Sequence, residues 1–177
     1  MFEPEGITRS DGLTGLSNRR AGLEHLAVLV EKGMPFSLLM VDVDDFKQVN
    51  GMTFHARGDR MLQRTAETLR ALFPDPDATF RYGGDEFVVV LPGVDRAAAV
   101  DLAEHVCAAV AAIAVPDWDH PGERARSRLT CSLGVAGYPA NGHSRDEVLR
   151  AADHAMYRAK RDGGGRVRTS TSLDDQP

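Results

Sequence analysis

The stretch Arg81-Tyr82-Gly83-Gly84-Asp85-Glu86-Phe87-Val88-Val89-Val90-Leu91 decides how this chain is read. An aromatic-bearing run, Thr79 to Tyr82, and an apolar run, Phe87 to Leu91, flank a Gly-Gly pair, which predicts a tight hairpin whose turn takes positive φ. That turn would carry two carboxylates. Strand alternation would send Asp85 and Glu86 to opposite faces, and Gly83 and Gly84 would let a bulky anionic ligand approach the backbone. Taken alone, the same four residues also fit an ordinary hairpin with solvated acids at its tip.

The next informative segment is Phe36 to Val43, an apolar run of strand length that predicts a strand buried on both sides. Its end delivers Asp42 and Asp44 to one face, with Val41 and Val43 on the other. Unpaired carboxylates at the end of a core strand are costly unless a cation or donors neutralise them, so Asp42 is a metal-ligand candidate and Asp45 reads as a turn residue. If this strand lies beside the hairpin, Asp42 and Asp85 converge into a hard oxygen site suited to Mg²⁺, with Mn²⁺ as the alternative ion. Mg²⁺ keeps waters and takes phosphate oxygens, which points to a nucleoside triphosphate.

Helical spacing predicts a helix over Asn18 to Val30, capped by Ser17 and stopped by Gly33 and Pro35. A second helix is predicted over Ala56 to Phe73, ended by Pro74, with Asn50, His55 and Asp59 around its start. Asp95 caps a third that runs through Ala114 on a stripe of Ala99, Ala103, Val106, Val110 and Ile113. The charged loop Pro116 to Ser127, with Trp118, carries no assigned chemistry. A strand is predicted over Leu129 to Tyr138, and Ser144 to Glu147 form a capping box for a last helix that stops at Gly163 with Lys160 in its final turn. Val167 begins a short strand, residues 1–10 read as a linker, and 169–177 have the composition of a disordered tail. The pattern alone predicts an α/β or α+β sheet with helices packed on it.

A chain of 177 residues is one domain by size, and a net charge of −5 without a sustained basic block argues against nucleic-acid or membrane-surface binding. The two cysteines, Cys107 and Cys131, lack metal-ligand spacing and read as small buried residues of a reducing compartment. None of the six histidines forms a ligand pattern. No apolar run spans a bilayer and the start lacks a secretory pattern, so a cytoplasmic location is expected.

Beyond the hairpin residues, the chain carries Asp11 to Arg20 (DGLTGLSNRR), Asp42 to Asn50 (DVDDFKQVN), Gly58-Asp59, Ser132 to Val135 (SLGV) and Ala155 to Lys160 (AMYRAK). In that order these segments resemble the GGDEF family, the diguanylate cyclases, from about Asp11 to Val167, giving expected boundaries of 11–168 for the domain. The resemblance implies a central, mainly antiparallel five-stranded sheet flanked by helices, like the palm of nucleotidyl cyclases. It implies condensation of two GTP into cyclic di-GMP with release of two pyrophosphates. Asp42, the carbonyl of Val43 and Asp85 correspond to metal ligands; Glu86 corresponds to an acid needed for turnover, as a second-metal ligand or a base for the 3′-hydroxyl. Asn50 and Asp59 correspond to the guanine-reading pair, where a carboxylate accepts both N1–H and N2–H of guanine. Leu62 corresponds to a guanine neighbour or a core residue, Lys47 and Lys160 to phosphate contacts, and Gly83 and Gly84 to the nucleotide-facing turn. Each domain supplies one half-site, so a second copy of the domain is the implied partner, usually gathered by an upstream input segment.

The chain also departs from the pattern. Gly51 stands where the family usually has Asp, Phe54 where it has Gly, and Gly164 where an Arg commonly contacts phosphate. In the register of the family's product-inhibition motif, Asp77 is kept but Pro74 replaces the Arg, so tight feedback binding of product is not expected there. The rival readings are a weak or inactive nucleotide-binding regulatory module, and a dimerisation or partner-docking domain.

Overall fold

The computed structural model describes residues 8–46, 55–114 and 129–171. In chain order the elements are α1 (Arg19–Glu31), β1 (Phe36–Val43), α2 (His55–Leu72), β2 (Thr79–Arg81), β3 (Glu86–Pro92), α3 (Arg96–Ala111), β4 (Cys131–Tyr138), α4 (Arg145–Arg161) and β5 (Val167–Thr169). The five strands form one sheet in the order β2-β3-β1-β4-β5. All neighbours are antiparallel except β4 and β5, which makes the sheet mixed but mainly antiparallel, as expected.

β1 is central because every one of its eight residues is buried, and only a strand paired on both edges and covered on both faces achieves that. Side-chain alternation splits the core. Leu39, Val41 and Val43 face α2 and α3 through Met61, Leu62, Ala66, Leu69, Ala103 and Val106. Phe36, Leu38 and Met40 face α1 and α4 through Leu26, Leu29, Val148, Leu149, Ala152 and Met156. Two glycines set how closely the second layer approaches. A Cβ on Gly134 would lie 1.9 Å from the Ala152 carbonyl oxygen, and one on Gly22 would lie 2.1 Å from the Phe80 ring.

Several expectations are corrected. Asn18, not Ser17, caps α1: its side chain accepts from the Ala21 N–H, while Ser17 extends beside the β2 edge, its carbonyl accepting from the Arg81 N–H. Gly83 and Gly84 do not take positive φ, because the turn spans Tyr82 to Asp85 and closes with the Tyr82 and Gly83 N–H groups donating to the Glu86 carbonyl, a wider loop than a two-residue hairpin needs. Asp85 lies in that turn, and strand alternation begins only at Glu86. α3 ends at Ala111, so Ile113 falls beyond the helix, and β4 starts at Cys131 rather than Leu129.

The chain ends also differ from the expected boundaries. Ser10 bridges to Ser17, and the Arg9 carbonyl accepts from the Asn18 N–H, so residues 8–10 are tied to the domain. Thr169 is in β5, Ser170 N–H donates to Val135, and Asn141 Nδ2 donates to the Thr171 carbonyl, so these three residues are not a free tail. No described helix is long and apolar enough to cross a membrane. The expectations for residues 1–7, the Trp118 loop and residues 172–177 lie outside the described residues.

Candidate active site

The sheet places its acids by register. Asp42, at the last but one position of β1, is the antiparallel partner of Glu86, the first residue of β3. The Val43 N–H donates to the Asp85 carbonyl at 3.1 Å, so both hairpin acids are held beside the end of β1. On the other edge Asp42 pairs with Ser132 of β4. From the last turn of α4, Lys160 Nζ comes to 2.6 Å from Asp42 Oδ1. Residues distant in sequence meet here because β1 is hydrogen bonded to both β3 and β4.

Asp42 is only 4% exposed. Burial is the main reason its carboxyl is pushed up to about 6; Asp85 and Glu86 push the same way, and Lys160 opposes them. Oδ1 is a buried oxygen whose close partner among the described residues is the Lys160 ammonium. Oδ1 is thus a buried hard oxygen balanced by one ammonium, the type of donor that a divalent cation also takes. Among the described residues, no three acidic, histidine or cysteine side chains form a ready-made cage. Glu86 is also raised above its ordinary value, first by burial and then by the charges of Asp85 and Asp153.

Other predicted residues sit apart from this cluster. Asp59 is exposed in the early part of α2. Leu62 is 1% exposed and lies in the core on the opposite sheet face from Lys160. Lys47, Asn50, Gly51 and Phe54 lie outside the described residues. Gly84 faces open space, whereas a Cβ on Gly83 would come within 2.4 Å of Glu86 Oε2, so glycine at 83 leaves room for that carboxylate. Pro74 and Asp75 line a cavity of about 330 Å³ with Arg9, Arg70, Phe73 and Thr79, and Asp75 accepts from the Asp77 N–H.

Three supports were not legible in the sequence. Arg81 donates from Nε to the Gly83 carbonyl and from Nη2 to the Gly84 carbonyl, while Nη1 engages both oxygens of Asp11 at 3.2 Å. Burial opposes ionisation of Asp11, but hydrogen bonds from Thr14 and the charge of Arg81 outweigh it and hold the carboxyl below its usual range. The recurrence of Arg81 and Asp11 inside the two quoted motifs was the available signal. Replacing Arg81 with alanine should free both turn carbonyls and leave Asp11 unpaired; we expect a loss of about 1–3 kcal/mol in urea unfolding.

Asp44 is the second support. It accepts from Thr130 Oγ1 at 2.9 Å, Ser132 Oγ at 2.7 Å and the Gly165 N–H at 2.8 Å, joining the end of β1 to β4 and to the loop after α4. Gly164 in that loop has φ 72, and a Cβ there would lie 3.1 Å from Asp44 Oδ2. The departure at position 164 is therefore matched by a left-handed, closely packed backbone that favours glycine. The third support is Arg19, whose guanidinium stacks over the Tyr82 ring at 4.5 Å and whose charge stabilises ionised Glu86.

Comparison with known proteins matches residues 8–166 to the family described as "Diguanylate cyclase, GGDEF domain". The chain is 36% identical over 171 residues to diguanylate cyclase DgcM of Escherichia coli (strain K12), covering 92% of this chain and 38% of that relative. The chain thus spans about two fifths of the length of that curated relative. Among solved structures, the GGDEF domain of DgcB from Caulobacter crescentus in complex with c-di-GMP superposes with a TM-score of 0.83 at 27% identity, covering 97% of each chain. The diguanylate cyclase SiaD in complex with its activator SiaC from Pseudomonas aeruginosa superposes with a TM-score of 0.80 at 32% identity, covering 92% of this chain and 62% of that one.

Proposed function

Because the chain belongs to the GGDEF family of diguanylate cyclase domains, we propose that it condenses two GTP molecules into cyclic di-GMP and two pyrophosphates. The observation that carries this reading is the Asp42–Glu86 register pair, with Asp85 beside it and Lys160 against Asp42. Neither a scaffold nor a docking domain needs a buried acid such as Asp42 at the end of its central strand, since it costs stability.

The residues that would hold the divalent ion, Mg²⁺ or Mn²⁺, are Asp42, the Val43 carbonyl and Asp85, with Glu86 available to a second one. When bound, the metal supplies Lewis-acid polarisation of the α-phosphate and offsets the acids' charge. Lys160, at the mouth of the site, exchanges its contact with Asp42 for a phosphate oxygen. Glu86 serves either as a ligand of a second ion or as the acceptor of the 3′-hydroxyl proton; burial and the neighbouring acids, which raise its affinity for protons, support the second role. Asp59, with Asn50, reads the guanine edge. Loss of a guanidinium at Gly164 removes one charge-assisted phosphate contact, costing about 1.5–3 kcal/mol of GTP binding.

Each domain carries one such half-site, so two copies must face each other with their GTP molecules antiparallel. Activity should then rise more steeply than linearly with protein concentration, and a forced dimer should remove that dependence. Incubating the forced dimer with GTP and Mg²⁺ tests the proposal: cyclic di-GMP plus pyrophosphate supports it. Nucleotide binding without product supports the regulatory module that the Gly164 departure favours, and no binding leaves a docking domain. With Pro74 in place of a guanidinium, calorimetry should detect no submicromolar cyclic di-GMP binding that Asp77→Ala abolishes.

A further inference from the structure

We propose that Cys107 and Cys131 form a hydroperoxide-sensitive modification site, in which Cys107 is oxidised first and Cys131 then closes an intramolecular disulfide between α3 and β4. No motif spacing joins them, yet the fold puts them in contact: Cys107 Sγ donates to the Cys131 carbonyl oxygen at 3.6 Å, and both side chains pack into the same core cluster. They are the only two cysteines of the chain, so each has no other intramolecular partner.

The pair is asymmetric in the way stepwise oxidation requires. Cys107 is partly exposed on α3, while Cys131 is buried at the start of β4. Its interaction with Cys131 holds the Cys107 thiol below its ordinary value, against the opposing effect of burial. Reagent therefore reaches the sulfur that more readily carries a thiolate, and the protected thiol waits beside it.

In the first step the Cys107 thiolate attacks one oxygen of a hydroperoxide, the O–O bond breaks, and hydroxide (from hydrogen peroxide) leaves, giving a sulfenic acid. In the second, Cys131 sulfur attacks the sulfenic sulfur; an S–S bond forms, the S–O bond breaks, and the hydroxyl leaves as water with the Cys131 proton. Two thiols are oxidised and one peroxide is reduced to two waters. The consequence reaches the candidate site, because Thr130 and Ser132, the hydroxyls that hold Asp44, flank Cys131. Disulfides within reducing compartments are characteristically transient and redox-sensing, which fits a pair that is half accessible.

The test is to treat the full folded chain with hydrogen peroxide, quench, unfold it in an alkylating agent and measure its mass. The expected result is loss of about 2 Da, no alkylation at either cysteine, a peptide linking Cys107 to Cys131, and full reversal by dithiothreitol. Cys107→Ser, at a partly exposed position that tolerates the change, should show no mass loss and a fully alkylated Cys131. Two free thiols after peroxide, or an over-oxidised Cys107 beside a free Cys131, would overturn the proposal.

Discussion

Replacing Asp42 with asparagine should abolish cyclic di-GMP formation, by a factor of about 10³ or more, and at the same time make the apo chain more stable at pH 7. The first half follows from the proposed role: asparagine keeps the shape of the side chain but removes the charge that would grip the cation. The second follows from burial. The carboxyl of Asp42 is raised from 3.8 to about 6 in the folded state, so the native protein binds this proton more tightly than the unfolded chain does. For an acid with a raised value, folding is favoured below the unfolded value and loses that contribution as pH climbs through the folded one. At pH 7 ionised Asp42 therefore costs about 2–3 kcal/mol, net of its ion pair with Lys160. Asparagine escapes that cost. Thermal melts in a chelator at pH 7 should show the variant several degrees above the parent, with the gap closing near pH 4. A variant that melts lower at pH 7 would show that Lys160 more than offsets the burial of Asp42.

The second large effect is expected at Gly134. It lies in β4 beneath α4, and a Cβ there would meet the Ala152 carbonyl oxygen at 1.9 Å and the Met156 nitrogen at 2.4 Å. Both are backbone atoms of a packed helix, so no side-chain rotation relieves the clash; α4 must move away from the sheet. Gly134→Ala should lose about 3 kcal/mol or more, at or beyond the upper end of ordinary overpacking. Because α4 also carries Lys160, the same displacement should withdraw the cation from Asp42. Urea unfolding reads the stability loss. A change under about 1 kcal/mol would mean that α4 is far less firmly seated than its buried face of Val148, Leu149, Ala152 and Met156 indicates.

These two predictions mark where the sequence is a sufficient guide and where it is not. The bounds of β1 were legible because a continuous apolar run closed by acids is a local signal, and the helix of residues 145–161 was legible from its Ser144 cap and its glycine stop. The motifs named the family and, with it, Asp42, Asp85, Glu86 and Lys160. What the hairpin sequence suggested about Gly83 and Gly84 failed for a physical reason: neither takes a left-handed conformation in this wider turn, and glycine at 83 instead leaves space for the Glu86 carboxylate. Leu62 shows a similar limit, since helical spacing puts it on a face without saying whether that face meets a ligand or the core.

Periodicity, caps and stop residues act over a few residues, so the amino-acid order alone determined the elements, their ends to within a few positions, and which residue types were available for chemistry. The tertiary structure decided the rest. Strand register set Asp42 opposite Glu86, helix packing on Gly134 brought Lys160 to the acids, Asp44 found three donors from two distant segments, and two unrelated cysteines became neighbours. Each of these depends on contacts between segments far apart in the chain, and such contacts are fixed only when the whole sheet pairs and its two faces are covered.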